Sequence, residues 1–227
     1  MNVPTAEPID AATFARAMAA LGPFEPAPRL AVAVSGGADS LALAALVADW
    51  LRPRGGCGTA LTVDHGLRPA AAAEAAWVAD RAARLGLGHR TLRWRREVPA
   101  RVTHDLARAA RYRLLADAAA ELGSLHLLLG HHRDDNARTI AMRRRRAPGP
   151  GLAGMPAVRE LDRVRLLRPL LALPAARLRA TAARLGHGWI EDPSNRDPRF
   201  ERSRAAVGPV DAAAIRERAG LERRATA

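Results

Sequence analysis

Apolar segments of strand length alternate along this chain with longer stretches in which apolar positions recur at helical spacing. Leu30 to Val34 is a solid apolar run, read as a buried strand, and Asp39 to Trp50 follows it as a helix. Thr59 to Val63 reads as a strand, Pro69 to Leu85 as an alanine-rich helix, and His89 to Trp94 as a strand. A helix over Thr103 to Leu122 and the strand LHLLLG at 125–130 continue the rhythm, with Gly86 and Gly123 at positions that end helices. A further helix is expected after DDNART, and RVRLLRPLL at 163–171 reads as a last strand leading to the helix LPAARLRATAARLG at 173–186. This alternation predicts an α/β fold, a Rossmann-like parallel sheet with helices on both faces.

Two stretches break the rhythm. RRRRAPGPGLAG (143–154) is basic and rich in Pro and Gly, and DPSNRDPRFERSR (192–204) is polar with two prolines, so both are read as site loops rather than core. Beyond Val207 the chain offers one short helix and too little apolar material for a second domain, and no internal repeat is visible. A length of 227 residues fits one main domain, taken as 1–206, with 207–227 a short tail.

Composition changes the picture in one respect. The formal charge is +13, and all 36 basic side chains are arginine because the chain has no lysine. Arginine forks suit phosphates, so a polyanionic partner is expected, although the same composition also describes a solvated, arginine-rich surface. A single cysteine, Cys57, excludes an internal disulfide, a CxxC redox pair and a thiolate metal cage, and is read as a small core filler beside a strand. No basic-then-apolar leader and no membrane-length apolar run are present, so a cytoplasmic protein without membrane association is expected.

The chemistry concentrates in SGGADS at 35–40, between the first strand and its helix. Ser35, Gly36 and Gly37 let the backbone approach an anion closely, and a helix N-terminus presents unpaired N–H groups and partial positive charge. Asp39 could hold a metal ion or cap the helix, and Ser40 adds a hydroxyl; a plain tight turn with an Asp cap is the alternative. A Walker loop needs a lysine this chain lacks, and a GxGxxG fingerprint is absent. Ala33-Val34-Ser35-Gly36-Gly37 also resembles a nucleophile elbow, but the segment before Ser35 is too short for the strands and oxyanion loop that precede such an elbow.

SGGADS resembles the SGGxDS pyrophosphate loop of the N-type ATP pyrophosphatases, the PP-loop superfamily. VDHGLR (63–68), ARAARY (107–112), GHHRDDNART (130–139), GLAGM (151–155), RPLL (168–171) and DPSNRDPRFERSR (192–204) follow in the order found in the tRNA(Ile)-lysidine synthetase family. The resemblance runs from Leu30 to Arg204 and implies an adenine nucleotide α-hydrolase-like fold. It further implies that ATP and Mg²⁺ adenylate the wobble cytidine of tRNA(Ile) with a CAU anticodon, and that free L-lysine displaces AMP to give lysidine. Carried over, Ser35, Gly36, Gly37 and Ser40 cradle phosphates, Asp39 faces the metal, and Val63, Asp64, His65 and Arg111 lie by the nucleotide. Asp39, His132 and Asp135 form the implied catalytic set, and Asp135, Arg138, Asp192, Asn195, Arg202 and Arg204 the substrate contacts.

Several positions keep two readings. Arg108 and Arg111, three apart on one helix face, could reach a phosphate or sit in solvent with Tyr112 merely packing. His131, His132, Asp134 and Asp135 could in principle cage a metal, but adjacent histidines in an extended segment point opposite ways, which favours capping plus substrate contact. Trp189 is read as core rather than a base-stacking platform.

The chain departs from the family pattern in three places. Where members carry HHxDDxxET, this chain has Arg138 in place of the glutamate. Two like charges about 4 Å apart cost about 4 kcal/mol at an effective dielectric of 20 and about 1 in water, so Arg138 would repel a lysine ammonium. This favours, as the alternative, a paralogue with altered amine specificity or a non-catalytic tRNA-binding remnant. The arginines of IAMRRRRAPGP replace residues that are usually leucine, and the C-terminal domains that grip tRNA in longer members are expected to be missing.

Overall fold

A computed structural model of the chain describes residues 6–66, 70–94, 104–146, 154–186 and 188–191. Strand β1 (Arg29–Ala33) sets the plan: Leu30, Val32 and the following Val34 enter one apolar core, while Ala31 and Ala33 pack into another on the opposite face. The strands β2 (Cys57–Asp64), β3 (Gly88–Arg93), β4 (His126–Leu128), β5 (Val158–Glu160) and β6 (Arg165–Leu167) complete a six-stranded sheet in the order β3-β2-β1-β4-β6-β5. All neighbours run parallel except β5, which pairs antiparallel with β6. Helices cover both faces, as the alternation predicts: α1 (Ala11–Ala19), α2 (Ala38–Leu51), α3 (Ala71–Arg84) and α6 (Ala175–Ala183) on one, α4 (His104–Glu121) on the other.

Helix α2 lies deepest. Of its residues only Asp39 and Asp49 escape burial, and a helix apolar all round belongs inside a core. Asp39 is thus a carboxylate kept on an otherwise buried helix, in its first turn.

The structure corrects three expectations. The helix expected after DDNART starts earlier, as α5 (Arg133–Arg146), so DDNART forms its opening turns. The same helix runs through the arginines at 143–146, read as loop; arginine is a good helix former and suits the negative end of the helix dipole. Cys57 is exposed at the start of β2 rather than buried. The sheet is parallel as expected except at one edge, where a short turn after β5 returns the chain antiparallel beside it as β6. Helix α1 escapes the sequence rhythm altogether: Asp10 caps it by accepting the Thr13 amide at 2.6 Å, and Phe14 and Met18 seat it on the core. Trp189, as expected, packs against the apolar core. No helix among the described residues is long and apolar enough to cross a membrane.

The strand order reverses beside β1, with β2 on one side and β4 on the other. Ligands of open α/β sheets collect in the crevice at such a point, outside the carboxyl ends of the strands. The turn after β1 and the loop after β4 therefore flank one crevice, and they carry SGGADS and GHHRDD.

Candidate active site

The glycine turn is held from three directions. Ser35 N–H donates to Ser40 Oγ at 3.2 Å, and that hydroxyl donates to the Gly37 carbonyl at 2.9 Å, so Ser40 closes the turn on itself here. Ile190 N–H donates to the Gly36 carbonyl at 2.9 Å. Because a trans peptide sets C=O and N–H on opposite sides, this bond turns the Gly37 N–H away from residue 190. Gly36 has φ +87°, and a Cβ there would meet Ile190 Cδ1 at 2.6 Å, so conformation and space both demand glycine. The N–H groups of Gly36 and Gly37 have no hydrogen-bond partner among the described residues, and the first helical amides of α2 have no intrahelical one.

Across the crevice, His132 is the N-cap of α5. Its Nδ1 accepts the amides of Asp134 and Asp135 at 3.2 and 3.4 Å, and Asp135 Oδ2 reaches back to the His132 N–H at 3.3 Å. This reciprocal pattern is a capping box built from His and Asp. With Nδ1 accepting, the proton of the neutral ring sits on Nε2, which lies 3.3 Å from Asp135 Oδ2 and 3.5 Å from Asp39 Oδ2. Burial pulls the His132 pKa down, but the carboxylates of Asp39, Asp135 and Asp134 outweigh it and hold it above the ordinary histidine value. Asp39 and His132 thus join the two loops. Gly130 permits the approach, since a Cβ there would lie 3.1 Å from the Asp39 carbonyl.

The remaining expectations sort by contact. Asp134 Oδ2 accepts the Ala175 amide at 3.1 Å and caps α6, whose own N-cap, Pro174, offers no side-chain bond. Asp135 Oδ1 accepts from Arg138 at 3.2 Å, so Arg138 stands against the carboxylate next to the site. Asp64 spends its carboxylate on the Gly66 amide at 2.8 Å, and Val63 packs toward α4. His65 lies edge-on to Trp94, and burial, then Arg111, push its pKa below the usual histidine value. The two histidines diverge as an extended segment requires: His131 Nδ1 accepts from Arg168, away from the carboxylates that His132 meets. Ser35 Oγ lies against Ser40 Oγ at 3.4 Å, and among the described residues no histidine bonds it. Asp192, Asn195, Arg202 and Arg204 fall outside the described residues.

For four contributors the sequence shows the residue but not the part it plays. Gly130 and Ile190 act through packing against the glycine turn and the first turn of α2, Arg168 through burial, and Asn136 through a loop staple. Asn136, 2% exposed, accepts the Met155 amide at 2.6 Å, and Arg143 donates to the Gly154 carbonyl, tying Gly154 and Met155 to α5. A Cβ on Gly154 would overlap the Asn136 amide. Gly154→Ala is expected to break the buried bond and lower stability by about 1–3 kcal/mol, read from the denaturant midpoint; an unchanged midpoint would show that the loop moves freely aside.

A family model described as a PP-loop domain matches residues 10–209. Among curated proteins, the tRNA(Ile)-lysidine synthase of Rhodopseudomonas palustris is 52% identical over 184 residues, covering 80% of this chain and 53% of the relative. That of Methylobacterium nodulans is 49% identical over 201 residues, covering 88% of this chain and 58% of the relative. The chain thus spans about half the length of the curated relatives it matches. Among solved structures, a U34-tRNA thiolase, NcsA, from Methanococcus maripaludis superposes with a TM-score of 0.69 at 16% identity, over 94% of this chain and 72% of that one. At that identity the likeness speaks for the fold alone.

Proposed function

Because the chain belongs to the PP-loop domain family of ATP-binding proteins, we propose that it is the catalytic part of a tRNA(Ile)-lysidine synthetase, with its catalytic domain over residues 1–206. In this reading O2 of the wobble cytidine of tRNA(Ile) with a CAU anticodon attacks the α-phosphate of ATP and pyrophosphate leaves. The amine of free L-lysine then attacks C2, loses a proton and displaces AMP. The observation that supports it most is the junction of Asp39 with His132 and Asp135 across the crevice beside β1, in a chain about half identical to proteins of that name.

The residues supply distinct parts of this chemistry. Amides of Gly36, Gly37 and the start of α2 receive the pyrophosphate end, where donors fixed in advance cost no reorganisation as charge develops. Magnesium fits Asp39, whose Oδ1 is buried without a hydrogen-bond partner among the described residues, since this cation takes one or two carboxylates together with phosphate oxygens. When bound, it neutralises charge on the departing pyrophosphate. The Asp135 carboxylate, tied to His132 Nε2, offers a place for the proton that the attacking amine must lose.

Incubation with ATP, Mg²⁺, labelled lysine and tRNA(Ile) should place label on the wobble base. No transfer at saturating lysine would reject the ligase.

One observation favours a second reading. Arg138 occupies the carboxylate of Asp135, so a cationic amine must displace it, and a different nucleophile or a non-catalytic tRNA-binding role would relieve that conflict. Pyrophosphate exchange into ATP with tRNA present separates these, because a pure binder shows none. The pair is half-exposed, which moderates its strength. Arg138→Glu is expected to lower the lysine KM about tenfold; a rise would place the lysine site elsewhere.

A further inference from the structure

We propose that Arg108, Tyr112 and Arg168 form a subsite for a phosphate group on the α4 side of the sheet, opposite the face that carries α2. The starting point is Arg168, a guanidinium only 4% exposed at the carboxyl end of β6. Its Nε donates to His131 Nδ1 at 3.2 Å and a terminal nitrogen to the Pro156 carbonyl at 2.7 Å, and its charge acts on the Tyr112 hydroxyl. Every one of these acceptors is neutral. Arg108 donates to the same Tyr112 hydroxyl at 3.2 Å, and the guanidinium carbons of Arg108 and Arg111 stand 5.1 and 5.4 Å from the tyrosine ring centre.

Three guanidinium groups therefore converge on one phenol, and among the described residues neither Arg108 nor Arg168 makes an ion pair with a carboxylate. A buried cation that served the fold alone would be paired, or replaced by an apolar side chain at no loss. Burial raises the pKa of the Tyr112 hydroxyl, yet the surrounding arginines outweigh it and bring the hydroxyl below its usual value. The cluster thus carries the field of a missing anion. A phosphate, with several oxygens for arginine forks, matches it, and the carboxyl ends of parallel strands are where such ligands gather.

The phosphate could belong to the RNA strand or to the nucleotide, and the test separates the two. The subsite rests on the reading above only for the choice of tRNA(Ile) and ATP as probes. Arg108→Gln and Tyr112→Phe in the full chain, both at half-buried positions, are titrated with tRNA(Ile) over a series of salt concentrations and with ATP by calorimetry. An RNA phosphate is indicated if Arg108→Gln weakens tRNA binding about tenfold and lowers the salt slope by about 1, with ATP affinity unchanged. A nucleotide phosphate is indicated if ATP affinity falls about tenfold instead. Tyr112→Phe should follow the same ligand with a smaller loss, because it removes only the hydroxyl that holds the Arg108 guanidinium. Unchanged affinity for both probes in folded variants overturns the subsite. Lysine transfer can fail while these affinities respond, so the two proposals stand or fall separately.

Discussion

Replacing Asp39 by alanine should abolish ATP-dependent turnover, by about a thousandfold or more, and leave the fold intact. The size of the effect follows from position. Asp39 stands in the first turn of a helix whose other residues, Asp49 apart, are all buried, and its Oδ1 has no protein partner to lose. Among the described residues its second oxygen meets only His132, at 3.5 Å, so removal forfeits little packing. An acidic group near a helix N-terminus is worth about 0.3–1 kcal/mol, which a thermal melt would register as a shift of a few degrees at most. Pyrophosphate exchange and melting, run on the same preparation, distinguish this from general unfolding. Exchange at the wild-type rate would remove Asp39 from any role with the cation.

Gly36→Ala should be nearly as damaging, through geometry rather than charge. At φ +87° a side chain is strained, by about 1–2 kcal/mol. The new methyl would also sit 2.6 Å from Ile190 Cδ1 and 3.2 Å from Val78 Cγ2, an overpacking that adds about 1–3 kcal/mol. Both costs fall on the peptide whose carbonyl bonds Ile190 N–H, so relief comes by rotating the neighbouring amide out of place. Loss of ATP affinity by about a hundredfold is expected, in a protein that still melts cooperatively. Adding Ile190→Ala should restore part of the affinity, since it removes the clash and leaves the dihedral strain. No recovery in the double variant would show that Ile190 does not set the turn.

The first strand, its helix and the turn between them were legible because three signals coincide there: an apolar run, two glycines and a helix-length apolar stretch. Contacts between distant segments were not. Ile190 reaches Gly36 across most of the chain, and nothing in GWIED announces that its backbone anchors a turn near the other end. Arg168 was visible within RPLL, but its burial was not, because a sequence shows an arginine without showing what surrounds it. Both ends of helix α5 are hidden from a sequence reading for a local reason: its N-cap is a histidine rather than a serine or threonine, and its last turn is a run of arginines that reads as a loop. Strand β5 has only three residues and exists because β6 lies beside it, which is a tertiary fact. Arg138, expected from its position to repel a lysine ammonium, is held against the Asp135 carboxylate, a pairing that its place in the sequence does not announce.

The proposed seat of ATP on the glycine turn, with a cation on Asp39, is tested most directly by calorimetric titration of ATP, with and without Mg²⁺, into the wild-type chain and Asp39→Ala. The expected result is saturable one-site heat in the wild type that weakens without Mg²⁺ and collapses in the variant. Absence of heat from the wild type at millimolar ATP, or identical isotherms for the two proteins, would contradict it.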